Sequence, residues 1–121
     1  MSSRASRGAL GEAAAARLYE ERGFRIVVKN HRTRRGEVDL IADDGKLLAF
    51  VEVRTRATAA FGEPAVTVNL AKQRRFTLAA RDFLGGWQGG ERAVRFDVVS
   101  VIDGESGVEL TLIPNAFDAA E

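Results

Sequence analysis

The chain predicts a mixed α/β fold: a small five-stranded sheet flanked by helices, in the order α-β-β-β-α-β-β. Three observations carry this reading. Two stretches repeat apolar residues at helical spacing and end in glycine. Five short apolar runs are separated by turn residues. Two of those runs are joined by Asp43-Asp44-Gly45, whose Asp-Gly step is a strong hairpin signal. At 121 residues the chain suits one domain. Residues 1–7 are expected as a flexible arm, 8–113 as the domain and 114–121 as an acidic tail.

The first helix is expected over about residues 8–22, with Leu10, Ala14 and Leu18 as its core-facing stripe and Gly23 as its C-cap. Glu12 lies off that stripe, on the side of Ala16 and Tyr19, and on composition reads as a solvated acid favoured by the helix dipole. Phe24 opens a strand that runs into a basic segment, where Lys29, Arg32, Arg34 and Arg35 crowd around His31. Such a run either holds phosphates through bidentate arginine contacts or keeps an exposed sheet edge soluble.

The hairpin follows over residues 36–56. Alternation sets Glu37, Asp39 and Ile41 on one face and Val38 and Leu40 on the other; in the second strand Leu48, Phe50, Glu52 and Arg54 share a face. With the turn at Asp43-Asp44-Gly45, Asp39 should fall opposite residues 46–50. Residues 57–67, containing Gly62 and Pro64, predict a loop. A second helix is expected over residues 70–84, capped by Asn69, ended by Gly85-Gly86 and facing the core with Phe76, Ala79, Ala80 and Phe83. Lys72 and Arg75 then share its polar face. Residues 93–102 and 108–113 predict two last strands around a turn at Asp103-Gly104.

Composition narrows the chemistry. There is no cysteine and one histidine, which excludes disulfides, thiolate metal sites and a histidine-rich zinc site. Any metal must be held by oxygen, which points to Mg²⁺ or Mn²⁺. No apolar run nears the ~20 residues of a membrane-spanning helix, and a cytoplasmic address with no membrane partner is expected. The net charge of +1 hides a gradient: residues 1–35 carry nine Arg or Lys against three acids, whereas 100–121 carry five acids and no base. A basic first third is a candidate surface for an anionic polymer.

The hairpin holds the sharpest conflict, since Asp39, Glu52 and Arg54 interrupt its most apolar strands. Buried charge is costly without a partner or a metal. Two readings stay open. The three residues form a buried salt bridge, or Asp39 and Glu52 ligate a hard divalent ion with Glu12 as a water-mediated or further ligand and Arg54 as the neighbouring cation.

The ordered motifs GEVDLIA, FVEVRTR, FG-x-P, Lys72 on a helix and RFDVV, preceded by Gly8–Glu12, resemble the YraN-like family of small bacterial proteins over about residues 8–102. That family is similar to restriction-endonuclease-like nucleases, and to archaeal Holliday-junction resolvases in its order of helical Glu, strand Asp and Glu-x-Lys. The resemblance implies a restriction-endonuclease-like fold and a Mg²⁺ (or Mn²⁺) site at Glu12, Asp39 and Glu52. It puts Arg54 at the signature lysine and makes Lys72 the nearest lysine able to take part. Arginine keeps its proton, so Arg54 would orient water and hold phosphate charge rather than serve as a base. The expected activity is hydrolysis of phosphodiester bonds in DNA, including branched or damaged DNA. Arg32, Arg34, Arg35, Arg56 and Arg75 would hold the nucleic acid. The alternative is a binding module of the same fold that does not turn over. A four-way junction needs paired cuts and so implies a homodimer.

Overall fold

The computed structural model describes residues 4–57 and 69–119, with side chains from residue 8 onward. Helix α1 (Arg4–Glu21) leads into strands β1 (Arg25–Arg32), β2 (Glu37–Asp43) and β3 (Leu47–Arg56); helix α2 (Leu70–Gly85) precedes β4 (Ala93–Gly104) and β5 (Gly107–Ile113). The order is the expected one. The five strands form one open sheet in chain order, β1-β2-β3-β4-β5, antiparallel throughout except for the parallel β3–β4 pair. A parallel neighbour needs a crossover, which is the segment containing α2. Among the described residues no helix is long and apolar enough to cross a membrane.

Each helix covers one face. On the α1 face, Ala15, Ala16 and Tyr19 pack on Leu40, Ala42, Ala49, Val51, Val99 and Val101. On the other, Phe76, Ala79 and Ala80 pack on Val38, Ile41, Leu48, Phe50 and Phe96, with T-shaped ring contacts linking Phe50, Phe96 and Phe76. The core stripe of α1 therefore differs from expectation: Leu10 is 45% exposed, and the side carrying Ala15, Ala16 and Tyr19 is the buried one. The reason is close approach. A Cβ on Gly11 would collide with Thr55 Oγ1 of β3, so α1 lies on the sheet through small residues. Its helical start at Arg4 also precedes the expected residue 8.

Local signals elsewhere behave as their chemistry requires. Gly45 and Gly23 adopt φ of +95° and +91° at the hairpin turn and after α1. Asn69 caps α2 by accepting the Lys72 N–H at 2.8 Å. The β4–β5 turn falls two residues later than expected, at Glu105-Ser106, because the antiparallel ladder continues to Gly104–Gly107. Residues 114–119 do not hang loose. The Asn115 N–H reaches Asp97 at 3.0 Å, Ala116 N–H reaches the Phe96 carbonyl at 2.8 Å, and the Phe117 ring packs on Phe76 and Phe96. Beyond its first residue, the loop expected over 57–67 lies outside the described residues.

Asp97 fastens these parts together. Fully buried, it accepts from the Tyr19 hydroxyl at 2.6 Å and from Arg95 Nε and Nη2 at 2.7 and 2.8 Å. Burial, and then Asp97, hold the Tyr19 phenol protonated well above its usual range. A buried carboxylate with four donors is satisfied, and it ties α1, β4 and the segment after β5 to one point.

Candidate active site

The site lies where β2 parts from β3. Hairpin pairing runs from Asp43–Leu48 to Leu40–Val51 and then stops. Asp39 is thus level with Glu52, further along β3 than the expected 46–50. The break lies beside an unusual backbone position of β1. Asn30, a non-glycine residue at φ +55°, stands between the His31–Val38 and Lys29–Leu40 pairs and so faces Asp39. Past it the alternation of β2 fails: Val38 and Ile41 lie in the same core cluster, while Leu40 lies in the other. Asp39 turns toward β3 and accepts the Val53 N–H through Oδ2 at 2.7 Å.

Glu12 arrives from α1, brought down by the Gly11–Thr55 approach, and accepts from Asn30 Nδ2 at 3.1 Å. Glu52 projects on the α2 side and is buried. Lys72 Nζ approaches its Oε2 at 2.9 Å, within ion-pair range but not aligned as a hydrogen bond, so this buried oxygen lacks a hydrogen-bond donor. Asp39 bears the electrostatic result. Burial pushes its carboxyl up, the Val53 N–H pulls it back, and Glu52, Glu12 and Glu37 push it up again, to about 7.

The remaining predicted residues divide into those that border the site and those placed beside it. A recess of about 420 Å³ opens next to Glu52, lined by Lys72, Arg75, Arg32, Arg34 and Arg35. Arg32 is paired with Glu37 at 3.2 Å. Arg54 and Arg56 lie further along β3, in register with Ser100 and Ile102 of β4. His31 contacts Asp82 of α2 at 3.0 Å and sets its ring edge-on to Phe83. Sequence reasoning missed Asn30, which takes a left-handed backbone conformation within β1 and holds Glu12. Its signal was present: asparagine tolerates positive φ far better than the β-branched residues before it.

These features fit a hard cation in part. Asp39 and Glu52 offer oxygen donors in a place with surplus negative charge, which suits Mg²⁺ bound through one or two carboxylates with water completing its shell. Glu12, engaged with Asn30, stands behind them. Among the described residues, no three carboxylate or imidazole side chains are drawn together as a ready-made cage.

Uncharacterised protein family UPF0102 matches residues 11–101, a span from Gly11 through the sheet to β4. The chain belongs to that family. Its members include a UPF0102 protein of Anaeromyxobacter dehalogenans, 52% identical over 92% of this chain and 83% of the relative. Others come from Desulfosudis oleivorans, 48% identical over 93% and 89%, and Symbiobacterium thermophilum, 45% identical over 93% and 96%. The match to UPF0102 takes in Glu12, Asn30, Asp39, Glu52 and Lys72 alike.

Proposed function

We propose that this UPF0102 protein is a divalent-metal-dependent endonuclease acting on DNA, with Asp39 and Glu52 as the metal-holding carboxylates. The observation that carries the proposal is their position: two acids level with each other at the break between β2 and β3, one raised toward neutrality and the other without an aligned donor, beside a basic recess. Two buried carboxylates served by one lysine leave a surplus of negative charge when both ionise, and a divalent cation removes that cost. The motif order shared with restriction-endonuclease-like nucleases supports the same reading.

When bound, Mg²⁺ or Mn²⁺ supplies charge stabilisation at a phosphodiester oxygen and lowers the pKa of a coordinated water. The chain's own residues do the rest. Asp39 would hold the cation as a carboxylate, its proton passing to solvent. Glu12, held by Asn30, adds negative charge behind it and orients water. Lys72, already at Glu52, is the cation nearest the reacting phosphate and stabilises charge developing there. Arg54 holds phosphate charge through its guanidinium. Arg75, Arg34 and Arg35 border the approach and bind flanking phosphates.

Cleavage of duplex, single-stranded, flap and four-way-junction DNA with Mg²⁺ or Mn²⁺ tests this. Wild type should cut at least one substrate, and folded Asp39→Asn and Glu52→Gln proteins should cut none. Wild type that cuts nothing overturns the enzyme reading; salt-sensitive binding without cutting would instead leave the binding module.

A further inference from the structure

The turn between β1 and β2 divides the basic surface of α2 into two recesses. Thr33 stiffens this turn: its Oγ1 accepts the N–H groups of Arg35 and Gly36, each at 3.1 Å, and lies 3.0 Å from the Gly36 carbonyl to which it donates. Gly36 is pressed against α2 so closely that a Cβ would collide with the Arg75 carbonyl. On the N-terminal side of that contact lies the recess beside Glu52. On the C-terminal side lies a second, of about 510 Å³, bordered by Arg34, Arg35, Leu78, Arg81 and Asp82. Neither Arg81 nor this second recess has a part in the proposed chemistry.

We infer that the second recess is a further backbone-phosphate site, with Arg81 holding the same nucleic-acid strand at a distance from the reacting bond and Arg34 bordering both recesses. Resting on the endonuclease reading, this names how the strand lies: along α2 and across the Thr33–Gly36 turn. The charge favours it, because three arginines face one acid, and that acid, Asp82, is engaged by His31 at 3.0 Å. The spacing favours it too. From Arg75 to Arg81, one bordering each recess, is ~9 Å of helix. Successive phosphates of one duplex strand advance ~3.4 Å along the axis, so the two recesses are roughly three phosphates apart. Arg81 is exposed, which leaves its guanidinium free of any core role. Leu78 gives the recess an apolar floor against which a sugar can rest.

The test measures binding of a fluorescent 20-base-pair duplex to Asp39→Asn protein at several salt concentrations, so that cutting plays no part. Adding Arg81→Ala should weaken binding about tenfold and flatten the log Kd against log salt slope by about 1, the loss of one phosphate contact. Arg81→Lys should restore most of that slope. If Arg81→Ala binds like its parent while Arg75→Ala weakens binding, the second site is wrong and the proposed function stands. If the parent binds no nucleic acid at any salt, the proposed function itself is lost and this inference with it.

Discussion

Asp39 Oδ2 accepts the main-chain N–H of Val53 at 2.7 Å, so a side chain fills a hydrogen-bonding place that strand pairing would otherwise supply. The β2–β3 ladder ends there without leaving a buried N–H unsatisfied, and the carboxylate is fixed by backbone rather than by a flexible partner. An aspartate so held keeps its position whether or not it carries a proton.

That arrangement has a pH signature. The Asp39 carboxyl is held up to about 7 in the fold, against ~4 in an unfolded chain. The folded state therefore binds the extra proton, and this group's contribution to stability is full below pH 4 and lost as pH rises through 7. In metal-free buffer, Asp39→Asn should be more stable than wild type at pH 8, on the order of 4 kcal/mol, and equal to it near pH 4. Urea titrations at the two pH values measure this, and an unchanged difference would count against the charge surplus.

Metal should reverse the penalty. Mg²⁺ at a hundred times its Kd would stabilise wild type by about 2.7 kcal/mol. The rise in Tm should be larger at pH 8 than at pH 6, since at pH 6 the ion must displace a proton from Asp39. Glu52→Gln should show no rise, and chelation should return wild type to its starting Tm.

Helix α1 supplies a prediction against its own propensity. Gly→Ala within a helix ordinarily gains up to ~1 kcal/mol. Gly11→Ala should instead cost about 1–3 kcal/mol, because the new Cβ meets Thr55 Oγ1. Thr55→Ala removes that oxygen, so the double variant should recover most of the loss. A denaturant double-mutant cycle with no coupling would show that the helix sits further from β3.

Asp97 separates a structural acid from the site acids. Asp97→Ala should cost about 3–5 kcal/mol, since Arg95 and Tyr19 lose their partner in the interior. Tyr19→Phe, which removes one charge-assisted bond, should cost about 1.5–3 kcal/mol. Neither variant should alter Mg²⁺ affinity once folding is complete, which calorimetric titration would measure.

Much of this was legible in the residues. The Asp-Asp-Gly turn, the Asn69 cap, the apolar spacing of α2 and the element order each have one dominant local cause, and each stands in the structure. The side of α1 that packs was harder to read. Hydrophobicity favoured Leu10, whereas steric closeness to β3 favoured Gly11, Ala15 and Ala16, and closeness is a tertiary quantity. Asp39 lies further along β3 than expected, level with Glu52, where the alternation of β2 changes opposite Asn30, on a strand that touches it only in three dimensions. Asp97 gave no warning either, because beyond Arg95 on its own strand its partners, Tyr19 and Asn115, come from two distant segments of chain.

The parallel pairing of β3 with β4 has a consequence for how the site comes into being. Glu12, Asn30, Asp39 and Glu52 all precede the crossover, while Lys72, Arg75 and Arg81 all follow its entry into α2. The first part, a helix and three consecutive antiparallel strands, needs only neighbouring segments to meet; joining β4 beside β3 is the long-range step. During folding the site acids and the arginines of the β1–β2 turn are therefore gathered first, and the cations of α2 close over them last.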